Sequence, residues 1–169
     1  MCYKLLNGLT IRERGAAVSI FYPHELLHRV ADISLEHLAA LDIRALVLDI
    51  DNTLTTHDNP APGQGVPEWL AAVQAAGIRC VLLSNNTPER VEPFARMLGL
   101  EYEANARKPF PDGVHRACRH MGVCEKQAAM VGDQIFTDVL AGRLAGVYTF
   151  LLEPIEPEKT RFFHLKRRL

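Results

Sequence analysis

The sequence predicts a doubly wound α/β fold, in which helices cover both faces of a mostly parallel β-sheet. Apolar runs that suit fully buried strands occur at 44–51, 78–84 and 127–133. Segments with helical periodicity separate these runs, and polar residues follow each of them. Strands that alternate with helices in this way are typical of parallel sheets joined by right-handed crossovers.

The individual elements follow from local signals. We expect short helices at 24–30 and 34–41, with Ser34 as the N-cap of the second. Pro67 lies near the start of a periodic segment and Gly77 lies at its end, which is typical of the two boundaries of a helix. The remaining predicted elements are strand 44–51, helix 66–77, strand 78–84, helix 88–99, short strand 101–105, helix 112–122, strand 127–133, helix 135–146 and strand 147–153.

The composition indicates one globular domain that can bury a core. The chain has 169 residues, of which 48% are apolar and 23% are charged. Only 7% are aromatic and the net charge is −1, so we expect no nucleic-acid partner. The four cysteines form no C-x-x-C pair, and neither a signal-peptide pattern nor a long apolar run is present. These features predict a reduced, cytoplasmic protein.

Carboxylates lie at the ends of two of the predicted buried strands. Asp49 and Asp51 end the first strand, Asp133 ends the third, and Asp138 lies five residues further on. Because ligands of open α/β sheets bind at the carboxyl ends of the strands, we expect these side chains to converge. Several nearby carboxylates require a counter-charge, and Mg²⁺ is commonly held by carboxylates together with substrate phosphate. The sequence therefore predicts a Mg²⁺ site.

Groups that suit a phosphoryl ligand accompany these carboxylates. Lys108 would supply a fixed positive charge, and Thr53 and Ser84 would supply hydroxyl donors. A cation, a lysine and hydroxyl groups together are typical of a phosphoryl-binding pocket.

The motifs in this order resemble those of the haloacid dehalogenase superfamily. They are D-x-D-x-T at 49–53, Ser84 at a strand end, Lys108, and G-D-x-x-x-x-D at 132–138. More narrowly, the segments LDIDNTL, LLSNN, A-x-KP and VGDQIFTDV are similar to those of YqeG-type phosphatases of subfamily IIIA. The resemblance covers roughly residues 44–152 and implies a Rossmann-like fold of that superfamily.

The resemblance also implies a role for each site residue. Asp49 would be the nucleophile and Asp51 the general acid and base. Asp49, Asp133 and the main-chain carbonyl of Asp51 would hold Mg²⁺, with Asp138 in support. The residues implied to bind the phosphoryl group are Thr53, Ser84, Asn85 and Lys108, the last of them also catalytic. An acid at position 51 favours hydrolysis of a phosphate ester over cleavage of a carbon–halogen bond.

The predicted function is a Mg²⁺-dependent phosphatase that hydrolyses a phosphate monoester through an aspartyl-phosphate. A phosphotransferase using the same intermediate and a non-catalytic phosphate- or partner-binding module are the alternatives. Only 11 residues separate Leu54 from Val66, and 23 separate Ser84 from Lys108, so we expect no cap domain and an open site. Phosphatidylglycerophosphate is one candidate substrate, because a related mitochondrial branch resembles a lipid phosphatase. Nucleotides, sugar phosphates and phosphoproteins are others.

Three regions are predicted: a lead-in with short helices at 1–43, a catalytic core at 44–153 and a basic tail at 154–169. Residues 159–169 contain five of the 19 basic residues and no acidic residue. This segment would either make a weak contact with an anionic membrane surface or pack on the core. Each basic residue near an anionic bilayer contributes about 1 kcal/mol.

Overall fold

The computed structural model describes residues 19–56 and 59–156 and contains six strands that alternate with helices. A π-helix at Ile135–Val139 runs directly into the last α-helix. The strands are β1 Glu25–Leu27, β2 Ala45–Leu48, β3 Arg79–Leu83, β4 Glu101–Glu103, β5 Ala128–Gly132 and β6 Tyr148–Leu152. The α-helices are α1 Leu35–Ala40, α2 Val66–Ala75, α3 Pro88–Leu98, α4 Asp112–His120 and α5 Leu140–Ala145.

The six strands form one entirely parallel sheet in the order β1-β6-β5-β2-β3-β4. From β2 the chain builds outward through β3 to β4, and then returns to add β5 and β6 on the other side of β2. Strand β1, which precedes β2 in the chain, pairs with β6 at that edge of the sheet. The direction of winding therefore reverses between β2 and β5. In open α/β sheets, this reversal opens a crevice at the carboxyl ends of the two strands, where ligands bind.

Strand β2 occupies the centre because every one of its side chains is apolar. Its residues are fully buried, as expected of a parallel strand covered on both faces. Leu46 and Leu48 belong to one core cluster, and Ala45 and Val47 belong to the other. This alternation gives each face of the sheet its own hydrophobic core.

The helices cover these two faces with apolar stripes. Helix α2 places Trp69, Leu70 and Val73 in the first cluster, and the indole Nε1 of Trp69 donates to the carbonyl of Ile33 at 2.9 Å. Helices α4 and α5 supply buried side chains to the second cluster. Burying one such large apolar side chain stabilises the fold by about 1.5–3 kcal/mol. The predicted two-faced parallel architecture is confirmed.

The predicted helix at 24–30 is wrong. Residues Glu25–Leu27 form edge strand β1, in parallel register with β6. The main-chain N–H of His24 donates to the carbonyl of Thr149 at 3.0 Å, and its ring Nδ1 lies 2.9 Å from the Thr149 hydroxyl. Pairing with a distant part of the chain therefore overrides the local helical spacing, as is common for short strands.

The predicted single helix at 135–146 divides into two parts. Residues Ile135–Val139 form a π-helix, and only Leu140–Ala145 are α-helical. π-helical turns are rare and frequently lie at functional sites. This one carries Asp138, whose surroundings are described below.

Most of the other predicted elements are confirmed to within a few residues at their ends. Ser34 caps α1 as predicted, accepting from the N–H of His37 at 3.1 Å. No helix within the described residues is long and apolar enough to cross a membrane. The predicted region boundaries and cytoplasmic location stay predictions. Residues 1–18 of the lead-in, and the basic segment 159–169, lie outside the described residues.

Candidate active site

Three buried polar residues meet at the carboxyl edge of the sheet, each just beyond the end of a central strand. Asp49 follows β2, Ser84 follows β3 and Asp133 follows β5. Their exposed fractions are 7%, 2% and 3%. The site therefore lies over the crevice that the sheet order creates between β2 and β5.

Lys108 joins this group from the loop after β4. Its Nζ lies 2.5 Å from Asp49 Oδ1 and 2.6 Å from Asp138 Oδ1, and donates to the carbonyl of Leu83 at 3.2 Å. Burial by itself would lower the pKa of Lys108, but the carboxylates of Asp138 and Asp49 raise it above its usual range. The ammonium group is therefore a fixed positive charge at the floor of the site.

The loop that carries Lys108 continues the pairing between β3 and β4. The N–H of Ala106 donates to the carbonyl of Ser84, and the N–H of Asn105 donates to that of Asn86. Asn85 then brackets the main chain of Lys108: its Oδ1 accepts from the Lys108 N–H at 2.7 Å, and its Nδ2 donates to the Lys108 carbonyl at 3.0 Å. Asn85 thus holds the lysine loop in place, and its predicted contact with phosphate stays a prediction.

Asp49, Asp133 and Asp138 form a compact group of carboxylates. Each offers one oxygen, and these three oxygens lie within 4.8 Å of one another. Burial raises the pKa of Asp49, the Lys108 ammonium opposes this effect, and the charge of Asp138 adds to it. The carboxylates outnumber the single lysine, and buried oxygen donors of this kind suit a hard divalent cation. The donor set therefore fits Mg²⁺.

Both carboxylate oxygens of Asp138 have a partner in the site, and its supporting role at the metal stays a prediction. Its Oδ1 contacts Lys108, and its Oδ2 accepts from the main-chain N–H of Gln134 at 3.1 Å. The π-helix brings this carboxylate against Gly132, where an added Cβ would lie only 2.4 Å from atoms of the Asp138 side chain. Glycine at this strand end is therefore required by the close approach of the carboxylate.

We expect the Gly132→Ala variant to be destabilised by about 1–3 kcal/mol, the usual range for overpacking a dense interior. The clash involves Asp138 Cβ as well as its carboxylate, so rotation of the side chain cannot relieve it without movement of the π-helix. Denaturant unfolding would measure the loss. A midpoint equal to that of the wild type would contradict this account of Gly132.

The loop after β2 is a compact turn that positions the first motif. Asn52 has a left-handed backbone (φ 59°), and its N–H donates to the carbonyl of Thr55 at 2.7 Å. The hydroxyl of Thr53 donates to Asp49 Oδ2 at 3.4 Å and is buried. Thr53 is therefore beside the predicted nucleophile, and Ser84 lies at the neighbouring strand end.

Asp51 engages a different set of partners. Its Oδ2 accepts from Asn86 Nδ2 at 2.7 Å, and its Oδ1 accepts from the Arg90 guanidinium at 2.8 Å. Its side chain is outside the group of three metal-suited carboxylates found among the described residues. This placement is compatible with a metal contact through its main-chain carbonyl, which stays a prediction.

Asn86 and Arg90 were not predicted as site residues. Both follow β3: Asn86 lies in the loop and Arg90 in the first turn of α3. One signal could have found them, because loops at the carboxyl edge commonly carry functional residues. The direction of their side chains toward Asp51, however, is not encoded in any local pattern.

Comparisons with known proteins agree with this geometry. A family model described as haloacid dehalogenase-like hydrolase matches residues 57–146. The chain is also 33% identical, over 135 residues, to the probable phosphatase YqeG of Bacillus subtilis, an alignment that covers 80% of this chain and 78% of that protein. The chain belongs to the haloacid dehalogenase-like hydrolase family. The family resemblance, the fold and the enzyme class expected from the sequence are thereby confirmed.

Two further similar proteins extend the comparison. The chain is 29% identical over 157 residues to the chloroplastic phosphatidylglycerophosphate phosphatase 1 of Chlamydomonas reinhardtii, and covers 58% of its length. A crystal structure of a family hydrolase from Deinococcus radiodurans, with bound phosphate and sodium, aligns with a TM-score of 0.57. That alignment has 19% identity and covers 75% of this chain and 88% of the other, so it shows the shared fold alone.

Proposed function

We propose that this protein is a Mg²⁺-dependent phosphatase that hydrolyses a phosphate monoester through a phosphoryl group attached to Asp49. The observation that carries the proposal is the buried contact of Asp49 with Lys108 at the carboxyl edge of the sheet, within a cluster of three carboxylates. Family membership and relatives named as phosphatases support the same reaction class.

In the first step, a carboxylate oxygen of Asp49 forms a bond to phosphorus while the bond from phosphorus to the ester oxygen breaks. Asp51 gives its proton to the departing oxygen, so the alcohol leaves neutral. Covalent catalysis of this kind divides one difficult displacement into two easier ones. The Lys108 ammonium and the hydroxyls of Thr53 and Ser84 would stabilise the charge on the transferring group.

In the second step, water attacks the phosphorus of the aspartyl-phosphate and releases inorganic phosphate. Asp51, now a carboxylate, takes a proton from this water, which restores both aspartates. Asp49, Asp133, Asp138 and the Asp51 carbonyl are the groups proposed to hold Mg²⁺. The metal would neutralise the crowded carboxylates and the anionic phosphoryl group when bound.

The simplest test measures the release of inorganic phosphate from p-nitrophenyl phosphate by the purified protein, once with Mg²⁺ and once with a chelator. We expect hydrolysis that requires Mg²⁺, with one phosphate released for each nitrophenol. A phosphotransferase would instead release less phosphate than nitrophenol when acceptor alcohols are added. Binding of phosphate esters without any turnover of an ester panel would contradict the proposal and favour a binding module.

The substrate is proposed at the level of a phosphate monoester that can reach an open site. Phosphatidylglycerophosphate is the first candidate, because one relative is named for that activity. The proposed weak contact of residues 159–169 with an anionic membrane surface concerns residues outside the described part of the chain. A panel of sugar phosphates, nucleotides, phosphopeptides and a lipid phosphate in micelles would rank these classes by kcat/KM.

The metal site gives a separate expectation for Asp133. The Asp133→Asn variant should need at least about 10–100-fold more Mg²⁺ for half-maximal rate. This is the loss of metal affinity that is usual when a residue that only hydrogen-bonds a metal ligand is removed, and a ligand itself should matter no less. Since the substitution also removes one crowded charge, the metal-free variant should melt at or above the metal-free wild type. Metal titration of the rate and melting in chelator measure the two effects.

A matched control is Asp42→Asn. Asp42 precedes β2, at the amino end of the sheet, and its side chain is 65% exposed in an ion pair with Arg44. The Asp42→Asn variant should leave the Mg²⁺ requirement unchanged. An unchanged requirement in Asp133→Asn as well would exclude Asp133 as a metal ligand.

A further inference from the structure

We propose that Asn86, assisted by Arg90, is a positioning residue that fixes the carboxylate of Asp51 for proton transfer. The inference rests on the proposed function, because it concerns the residue expected to act as acid and base. Asn86 ends the LLSNN segment, but the sequence analysis assigned no role to it or to Arg90.

The two donors occupy different oxygens of the same carboxylate. Asn86 Nδ2 lies 2.7 Å from Oδ2, and Arg90 Nη2 lies 2.8 Å from Oδ1. Two contacts on opposite oxygens fix the rotation of a carboxylate about its last side-chain bond, which a single contact leaves free. Asp51 is therefore held in one orientation at the mouth of the site.

Asn86 is the more rigid of the two donors. Its N–H donates to Ser84 Oγ at 3.1 Å, and its carbonyl accepts from the N–H of Asn105 at 2.9 Å, so its main chain is held on both sides. Arg90 reaches Asp51 with a long side chain that is 48% exposed. The loss of Asn86 should therefore disturb Asp51 more than the loss of Arg90.

Neither donor can replace Asp51 as the acid or base. The amide of asparagine does not ionise near neutral pH, and the guanidinium of arginine stays protonated. Their contribution must therefore pass through the position of Asp51. Placing a general acid or base within hydrogen-bond reach of the reacting oxygen is a geometric requirement, and misplacement slows the step.

A double-mutant cycle on turnover of an alkyl phosphate tests this dependence. Asp51→Asn alone should lower kcat by roughly 10²–10⁴-fold. Asn86→Ala should lower kcat by a smaller factor, about 10–100-fold, with little change in KM. In the Asp51→Asn background, Asn86→Ala should have less than about a twofold further effect, because the group that it positions is already gone.

Two further variants support the cycle. Asn86→Asp keeps the size of the side chain but replaces the donor by an acceptor, and should be at least as slow as Asn86→Ala. Arg96→Ala is the control, because it removes an arginine from the same helix whose partner is Glu92 and whose side chain is 79% exposed. It should retain wild-type kcat. Melting temperatures of all variants separate a loss of folding from a loss of rate.

The outcomes distinguish the inference from the proposed function. If the kcat loss of the double variant equals the product of the losses in Asn86→Ala and Asp51→Asn, Asn86 acts independently of Asp51. That result would overturn this inference and leave the proposed function standing. A rise in KM with unchanged kcat would overturn it too, in favour of a substrate contact. Wild-type kcat in Asp51→Asn would remove the acid and base role itself, and with it this part of the proposed function.

Discussion

The Asp49→Asn variant should lose phosphate-ester hydrolysis by at least about 10⁴-fold, the scale expected when a covalent nucleophile is removed. An amide oxygen in this place is a poor nucleophile toward phosphorus, although it has nearly the same shape as the carboxylate oxygen. The loss should appear in kcat, because the substituted atom forms its bond only during the reaction. Steady-state hydrolysis of p-nitrophenyl phosphate measures it.

The fold should survive this substitution. Burial raises the pKa of Asp49, so its charged form is disfavoured in the folded protein, and a neutral amide avoids that cost. The melting temperature of Asp49→Asn should therefore stay close to that of the wild type in chelator. Asp42→Asn is the matched control and should retain full activity. Comparable activity of wild type and Asp49→Asn would remove the nucleophile from the proposed mechanism.

The Lys108→Met variant should show the largest loss of stability, about 3–5 kcal/mol, which is typical when one partner of a buried ion pair is removed. Methionine fills a similar volume but leaves Asp49 and Asp138 without the ammonium group, which now lies 2.5 and 2.6 Å from their oxygens. Only 3% of the lysine side chain is exposed, so water cannot replace it without rearrangement. Denaturant unfolding in chelator measures the change.

Two comparisons make this expectation specific. Lys126→Met removes an exposed lysine and should change the unfolding free energy by no more than about 0.5 kcal/mol. Mg²⁺ should restore part of the stability of Lys108→Met, because a cation bound by the carboxylates replaces the missing positive charge. A Lys108→Met variant as stable as Lys126→Met would show that the lysine does not balance the buried carboxylates.

The sequence was sufficient to predict which strand ends form the site. The runs that became β2 and β5 are continuously apolar and buried, as expected of strands covered on both faces, and β3 ends in the buried apolar residues Val81–Leu83. Parallel strands share one carboxyl edge, so the convergence of Asp49, Ser84 and Asp133 follows from the strand predictions alone. Lys108 was expected at the site from its place after a weak strand, and the motif resemblance agreed with that expectation.

Contacts between distant parts of the chain were not predictable from local patterns. Edge strand β1 exists because Glu25–Leu27 pair with β6, although their spacing suits a helix. Asn85 was expected to contact phosphate, and its side chain brackets the main chain of Lys108. Asn86 contacts Asp51 because β3 ends beside β2, and only the folded sheet reveals that approach.

The central claim is that the phosphoryl group passes through Asp49. The most direct measurement is rapid acid quench during turnover, followed by mass spectrometry of the peptide that contains residues 44–53, with the Asp51→Asn variant used to slow the second step. The account predicts one added phosphoryl group on Asp49, formed as fast as the first alcohol is released and lost on mild alkaline treatment. Alcohol release from every active site while this peptide stays unmodified would contradict it.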